Sequence, residues 1–320
     1  MDQMIEAGGF RASISDEMEY PEITTTKVIS AIVLLITSLF GLVMNTLYIW
    51  VLKFRMSQSV NTTWFFHLII TNFIFTLNMP LLAVYVLRNP LWVFGTILCK
   101  LNNTVIDSCV LAAVFFLTAI SLERFFLVYH PLWYRQHMNL RWASIICFSM
   151  WGLAILSSSP FIMLCHVEHY GNITVCCSEL KFPSLEGNPQ KLDLATEWGF
   201  FGFRFAMSFV IPFGLLSVCY LLIGFKIRSD HLAKSTKPYK LILVVVVSFF
   251  ICWAPYHIRN GMLVEKGRFP EEVLQVLIVL CTCFSCVNSC LTPILYLFIV
   301  DSFNKEFRKS VQLLIGKVFR

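Results

Sequence analysis

Charged side chains interrupt one long apolar stretch, Cys99 to Pro131, and such side chains can bind charged groups of another molecule. Asp107 lies near the start of this stretch, and Glu123 and Arg124 lie side by side near its end. A charge in the lipid core costs several kcal/mol, so such residues normally face other protein or water. Along a helix, Asp107 and Arg124 are separated by roughly 25 Å. The spacing predicts one membrane-spanning helix with a binding pocket near Asp107 and a switch near Arg124.

A simpler interpretation is that these charges reach the two membrane surfaces along their aliphatic stems. It suits the long side chain of Arg124 better than the short side chain of Asp107. A second cation, Arg204, lies between two phenylalanines in another apolar stretch, eight residues before Pro212. Lipid offers a guanidinium no partner, so Arg204 should face protein at the depth of Asp107. The pair is then either a site for an acidic ligand group or a structural ion pair without a ligand role.

The composition indicates a membrane protein. The chain has 320 residues, of which 57% are hydrophobic and 14% are charged, whereas soluble domains carry about 25% charged residues. The sequence contains no metal-type Cys/His cluster, Gly-rich phosphate loop or nucleophile elbow. We therefore expect no enzyme activity, no metal or other cofactor, and no nucleic acid partner.

Seven apolar stretches are long enough to cross a bilayer. They cover residues 28–53, 61–87, 97–129, 142–164, 196–228, 236–263 and 271–299. Lys and Arg concentrate in alternate connections and in the C-terminal tail, which predicts an extracellular N-terminus and a cytoplasmic C-terminus in the plasma membrane. The predicted fold is all-α: a seven-transmembrane helix bundle with a short amphipathic eighth helix.

The predicted organisation has three parts. Residues 1–27 form an extracellular tail, residues 28–300 the seven-transmembrane domain, and residues 301–320 an amphipathic helix with a short cytoplasmic tail. In the last part, four apolar side chains fall on one helical face, as in a helix that lies on membrane lipid. They are Phe303, Phe307, Val311 and Leu314.

The chain resembles the rhodopsin-class G protein-coupled receptors. The resemblance rests on residues in the order and at the spacings of that class, namely Asn45, Trp92, Cys99, Glu123, Arg124, Trp151, Pro212, Tyr220, Cys252 to Pro255 and Thr292 to Tyr296. Within the class, four segments are similar to the chemoattractant group, which includes the formyl-peptide, chemerin, anaphylatoxin and chemoattractant prostaglandin receptors. These segments are LERFFLVYHP, HPLWYRQH, CWAPYH and VNSCLTPILYLF.

The resemblance implies a peptide or lipid ligand that binds from outside and a heterotrimeric G protein, of the inhibitory class, that binds inside. Candidate ligand-binding residues are Asp107, Arg204, Tyr256, His257 and Arg259, with a packed histidine as the alternative for His257. Candidate residues of the activation switch are Glu123, Arg124, Tyr220, Trp253, Pro255, Pro293 and Tyr296. A decoy receptor that binds ligand without signalling is the alternative function. The tail offers little Ser or Thr, so arrestin recruitment through it should be weak.

The cysteines have two expected roles. The resemblance implies a disulfide from Cys99 to the loop after the fourth apolar stretch, where Cys176 is favoured and Cys177 stays open. The remaining nine are expected to be packing thiols, namely Cys109, Cys147, Cys165, Cys219, Cys252, Cys281, Cys283, Cys286 and Cys290. Asn172 in the same loop is an expected glycosylation site, whereas the sequons at Asn61 and Asn102 are expected to stay unused.

One departure from the class concerns sodium. Related receptors bind a sodium ion that favours the resting state, with an aspartate as anchor. The corresponding positions here are Asn72, Ala113 and Thr292, which supply no formal charge. A hard cation needs anionic or multiple oxygen ligands, so we expect no functional sodium site.

Overall fold

Seven helices long and apolar enough to cross a membrane form the bundle. The computed structural model describes residues 23–88, 91–170, 173–182, 190–191, 193–229, 237–265 and 268–299. The spans are α1 (Thr25–Phe54), α2 (Val60–Arg88), α3 (Gly95–Tyr129), α5 (Leu140–Ser158) continued by α6 (Pro160–Leu164), α7 (Leu194–Phe205) continued by α8 (Ile211–Ser229), α9 (Lys237–Val264) and α10 (Glu271–Ile299). The seven-helix fold predicted from the apolar stretches is confirmed. The predicted eighth helix, residues 301–314, lies outside the described residues.

The ends of several helices follow from local sequence. The side chains of Thr24, Asn139 and Asp193 accept backbone hydrogen bonds at the starts of α1, α5 and α7, as good N-caps do. Hydrogen bonds from Thr196 to Asp193 lower the pKa of that carboxyl. A short helix, α4 (Pro131–His137), follows α3 and begins with a proline, which is preorganised for the first turn.

Prolines divide two of the spans. Pro160 separates α5 from α6, and a π-helix (Ala206–Val210) precedes Pro212 between α7 and α8. Proline cannot donate the hydrogen bond that continues a regular helix, so the surrounding backbone must adjust. In the π-helix, the hydroxyl of Ser208 donates to the carbonyl of Arg204 at 2.6 Å. The adjustment therefore lies directly beside the predicted binding residue Arg204.

Helix α3 is the centre of the bundle. It is the most buried of the seven spans and contributes many side chains to the main hydrophobic core. Helices α1 and α2 approach each other closely at Gly41, where an added Cβ would lie 2.8 Å from Cγ2 of Thr76. The hydroxyl of Ser38 donates to the Thr76 carbonyl across the same contact. Small residues that let backbones approach are typical of membrane helix packing.

A β-hairpin covers one end of the bundle, which we call the hairpin end; the opposite end carries α4. Strand β1 (Cys165–Tyr170) pairs antiparallel with β2 (Ile173–Phe182), and β2 pairs with the short β3 (Gln190–Lys191). The apolar stretches did not predict these strands, because such stretches identify segments long enough to cross a bilayer, whereas β1 and β2 have 6 and 10 residues.

Two disulfides hold the hairpin. Cys99 at the start of α3 pairs with Cys176, the partner favoured from the sequence, and Cys165 pairs with Cys177. The expectation that Cys165 is a packing thiol was wrong. The predicted stretch 142–164 and the helical span both end at Leu164, so Cys165 lies just beyond the span, where it begins β1 and is bonded to Cys177 of β2. Asn172 lies outside the described residues.

Candidate functional site

A cavity of about 1310 Å³ lies at the hairpin end. Its wall combines side chains of α2, α3, the fifth, sixth and seventh spans, and Cys176 and Cys177 of the hairpin. Trp253 and Phe75 also line it, and their rings meet edge to face with centroids 5.5 Å apart. The cavity therefore reaches from the hairpin to the predicted switch residue Trp253.

Arg204 and Asp107 form a direct ion pair, as their predicted depths suggested. The side chains of Arg204 and Asp107 are only 11% and 4% exposed. Ser158 donates a second hydrogen bond to Asp107, at 2.9 Å, and Arg204 donates one to the hydroxyl of Tyr256, at 3.2 Å. The carboxylate thus holds the guanidinium in one orientation between α3, α5 and the sixth span.

Aromatic rings enclose the guanidinium of Arg204. Its Cζ lies 4.4 Å from the ring centroid of Phe161 and 5.4 Å from that of Phe200. Cation–π contacts of this kind strengthen when water is excluded. The ion pair is therefore well compensated where it lies, although the buried Nε of Arg204 has no hydrogen-bond partner in the part of the chain that the structure describes.

The predicted ligand-binding residues separate into two groups. Arg204, Tyr256 and Arg259 line the cavity. Among the described residues, Asp107 and His257 are not part of its wall. Asp107 is covered by its partners, and His257 is buried among aromatic rings, with its own ring 5.5 Å from that of Phe205.

The cavity wall also contains charged residues that the sequence analysis did not propose. They are Glu197 at the start of α7 and the pair Glu265 and Arg268 after α9. Nη1 of Arg268 lies 2.5 Å from Oε2 of Glu265. These residues stand at helix ends, where charged side chains are common, so only the fold shows that they border the cavity.

The predicted switch at the α4 end has a different geometry from the Arg204 pair. Nη2 of Arg124 lies 4.0 Å from Oε2 of Glu123, at the limit of an ion pair. Arg124 instead donates to Oδ1 of Asn61 at 2.5 Å, and Tyr134 of α4 donates to Oε1 of Glu123 at 3.2 Å. The acid and the arginine are thus each held by a different element.

The other predicted switch residues lie at several depths. The hydroxyls of Tyr220 and Ser121 are 3.1 Å apart, which links α8 to α3 one turn from Arg124. Pro255 lies inside α9, two residues after Trp253. Pro293 and Tyr296 belong to α10, but their side chains are outside the described part of the chain, as is that of Thr292.

Asn72 and Ala113, the described members of the former sodium site, are both buried. The side-chain Nδ2 of Asn72 has no hydrogen-bond partner among the described residues. Neither residue carries a formal charge, and the absence of a functional sodium site stays a prediction.

The fold and these sites define a class of protein. The sequence profile of the seven-transmembrane receptor (rhodopsin family) matches residues 44–296. The chain therefore belongs to the rhodopsin family of G protein-coupled receptors, a class of multi-pass plasma-membrane receptors rather than enzymes. Such receptors bind an extracellular ligand and a G protein.

Similar proteins place the chain within the family. It is 37% identical over 298 residues to probable G-protein coupled receptor 33 of Homo sapiens, covering 92% of this chain and 89% of that protein. It is 33% identical over 273 residues to chemerin-like receptor 1 of Mus musculus, covering 83% and 73%. The corresponding protein of Sus scrofa is 31% identical over 286 residues, covering 87% and 79%. The predicted membership of the chemoattractant-receptor group is confirmed.

Proposed function

We propose that this protein is a cell-surface receptor that binds a chemoattractant-type peptide or lipid and activates a heterotrimeric G protein of the inhibitory class. The hairpin end is then extracellular and the α4 end cytoplasmic. The observation that carries the proposal is the cavity, which connects the hairpin directly to Trp253. A ligand in this cavity contacts the switch residues of the sixth span without crossing the core.

The size and charge of the cavity support this ligand class. Pockets for small molecules are about 300–1000 Å³, whereas this cavity has a volume of about 1310 Å³. The terminus of a peptide or a folded lipid chain fills such a space better than a small amine does. Three arginines, Arg204, Arg259 and Arg268, and two glutamates border it among the described residues, and this excess of positive charge favours a ligand with an acidic group.

Within this proposal, Arg204 binds the acidic group of the ligand. Arginine offers five N–H donors in a planar fork that matches a carboxylate. Asp107 lies outside the cavity wall and holds the guanidinium from behind, so its role is to orient Arg204 rather than to contact the ligand. The acidic group would then join an arginine whose position is already set, which lowers the entropy cost of binding.

The α4 end offers a surface for the G protein. Leu132 and Trp133 of α4 are 75% and 51% exposed. Tyr134 of the same helix is buried against Glu123. A protein that binds the exposed face of α4 can therefore shift Glu123, because Tyr134 lies on the same short helix and is hydrogen-bonded to Glu123.

A ligand screen tests the proposed function. Peptide and lipid chemoattractants are applied to cells that express the chain at their surface, and cyclic AMP is measured after stimulation of adenylyl cyclase. We expect one acidic compound to lower cyclic AMP only in expressing cells. A compound that binds to the surface receptor but never promotes nucleotide exchange on any G protein would identify a decoy receptor and contradict the signalling part.

A further inference from the structure

The proposed function gives no role to the hydrogen bond between Asn61 and Arg124. Asn61 is the second residue of α2 and lies in a glycosylation sequon that we expected to stay unused. Its Oδ1 accepts a hydrogen bond from Nη2 of Arg124 at 2.5 Å. This contact joins residues 63 positions apart in the chain and connects α2 to the switch on α3.

Glu123 and Arg124 each have a buried polar atom that makes no hydrogen bond within the described residues. Oε2 of Glu123 and Nε of Arg124 are buried, and neither has a hydrogen-bond partner among the described residues. Glu123 is only 5% exposed and Arg124 only 17%. Adjacent side chains of a helix do not face each other, so the helix backbone does not favour a closed pair between Glu123 and Arg124. Among the described residues, Asn61 is the hydrogen-bond partner that fixes the guanidinium of Arg124.

Hydrogen bonds at the start of α2 fix the backbone on both sides of Asn61. The hydroxyl of Thr62 accepts from the backbone N–H of Ser59 at 2.7 Å, and the hydroxyl of Ser59 accepts from the backbone N–H of Thr62 at 3.2 Å. These reciprocal hydrogen bonds resemble a capping box, which fixes the first helical turn. Asn61 lies between the two residues, so its backbone position is determined before it meets Arg124.

We propose that Asn61 is a positioning residue that holds Arg124 in the resting arrangement of the switch. This inference rests on the proposed signalling function and adds a restraint to it. Because the partner is a neutral amide, the restraint is weaker than a closed ion pair and is released at lower cost. The resting state is then kept by an amide on α2 and a tyrosine on α4, which both act on adjacent residues of α3.

The test uses two substitutions with opposite expected effects. The full chain is reconstituted in lipid nanodiscs with a purified inhibitory G protein, and ligand-free nucleotide exchange is measured. We expect Asn61→Ala to raise exchange by about 3- to 10-fold, since it removes a hydrogen bond to a charged group. Asn61→Asp replaces the amide with a carboxylate and should lower exchange to or below the unmodified level.

Thr63→Ala supplies the matched control, because Thr63 is in the same turn and, within the described ranges, its hydroxyl donates only to the carbonyl of Ser59. It should leave exchange unchanged. A rise of similar size for Asn61→Ala and Asn61→Asp would overturn the inference, since a general loosening of α2 has no reason to depend on charge. Equal exchange for Asn61→Ala and the unmodified chain would overturn it as well.

A second measurement does not depend on signalling. Thermal unfolding midpoints are compared for Asn61→Ala with Arg124 intact and with Arg124→Ala. The shift caused by Asn61→Ala should disappear in the Arg124→Ala background, because the contact is then already absent. An unchanged shift would contradict the contact. If exchange stays at the receptor-free level for every variant, the proposed function fails, and the unfolding comparison alone decides whether Asn61 holds Arg124.

Discussion

Helix α3 contributes an acid to an acid–arginine pair near each of its ends, and the two pairs differ in how they are held. At the hairpin end, Asp107 and Arg204 are joined directly, between aromatic rings, and two disulfides restrain the chain beside them. At the α4 end, Glu123 and Arg124 stand 4.0 Å apart, and each has its hydrogen bond to another element.

This difference indicates that the two ends of α3 have different roles. A desolvated charge pair that is well compensated resists rearrangement, because separating it leaves two buried charges. A charge held by a single neutral partner is released at the cost of one hydrogen bond. The hairpin end is therefore suited to a preformed binding site, and the α4 end to a change of state. The predictions that follow test this contrast.

The largest effect should come from breaking the hairpin-end pair. Asp107→Ala leaves the cation of Arg204 buried and uncompensated, which costs about 3–5 kcal/mol of stability. The unfolding midpoint in detergent should fall accordingly. The double substitution Asp107→Ala with Arg204→Met should recover much of this loss, because it removes the unpaired charge. A small loss for Asp107→Ala alone would show that Arg204 reaches water, which contradicts the fixed geometry.

Removing the cation should abolish most ligand affinity if Arg204 binds an acidic group. Arg204→Ala that reaches the cell surface is expected to weaken an acidic agonist found by the screen by about 30-fold to several thousand-fold, or about 2–5 kcal/mol. Arg268→Ala is the matched control, since Arg268 also borders the cavity but is exposed and paired with Glu265. Unchanged affinity for Arg204→Ala would leave the Asp107 pair with a structural role only.

The second disulfide should matter for stability as well. Cys165→Ser removes a bridge that closes a 12-residue separation, and native disulfides contribute about 2–4 kcal/mol. We expect a lower unfolding midpoint and weaker ligand binding, because Cys177 lines the cavity. Mass spectrometry of non-reduced peptides provides the check. A peptide that joins Cys99 to Cys177 would contradict the observed pairing.

A smaller effect is expected at the α4 end. Tyr134→Phe removes the hydrogen bond to Glu123, which is worth about 1.5–3 kcal/mol when the acceptor is charged, and should raise ligand-free nucleotide exchange a few-fold. Tyr129→Phe is the control, because the Tyr129 hydroxyl bonds the exposed carbonyl of Leu222. Exchange that rises equally in both variants would show that the effect is not specific to Glu123.

The Tyr134 hydroxyl should also keep its proton across the physiological pH range. Burial, and then the neighbouring carboxylate of Glu123, raise the pKa of Tyr134 above its ordinary value. A group whose folded pKa is raised contributes its full stability below the unfolded pKa and loses it only as the pH rises further. Titration of Tyr134 should therefore not change the difference between Tyr134→Phe and the unmodified chain between pH 6 and pH 8, and a change in that window would report titration of its acceptor, Glu123.

The smallest expected effect concerns sodium. Asn72 and Ala113 give sodium no charged ligand in the core. Agonist affinity should therefore barely change when sodium replaces a bulky inert cation at constant ionic strength. An ion shifts the equilibrium between two receptor states only if it binds one state more tightly than the other. Agonist binding titrated against sodium measures this. A sodium-specific drop of several-fold would show that the site functions without its aspartate.

Much of the fold was predictable from the sequence, because a bilayer demands long apolar helices and each one is visible in local composition. The predicted stretch 97–129 became α3, Gly95–Tyr129, and the stretch 142–164 became the span that ends at Leu164. The receptor family was also predictable, since its motifs are short and stand in order along the chain.

The sequence by itself determined the spans, the charges within them and the family, because these depend on neighbours along the chain. Only the tertiary structure decided that Asn61 holds Arg124, that Cys165 pairs with Cys177, and that Asp107 stands outside the cavity wall. These features depend on the rotation of each helix about its axis and on contacts between distant segments. Apolar periodicity restricts that rotation weakly in a bundle where lipid and protein are equally apolar, so close packing selects it.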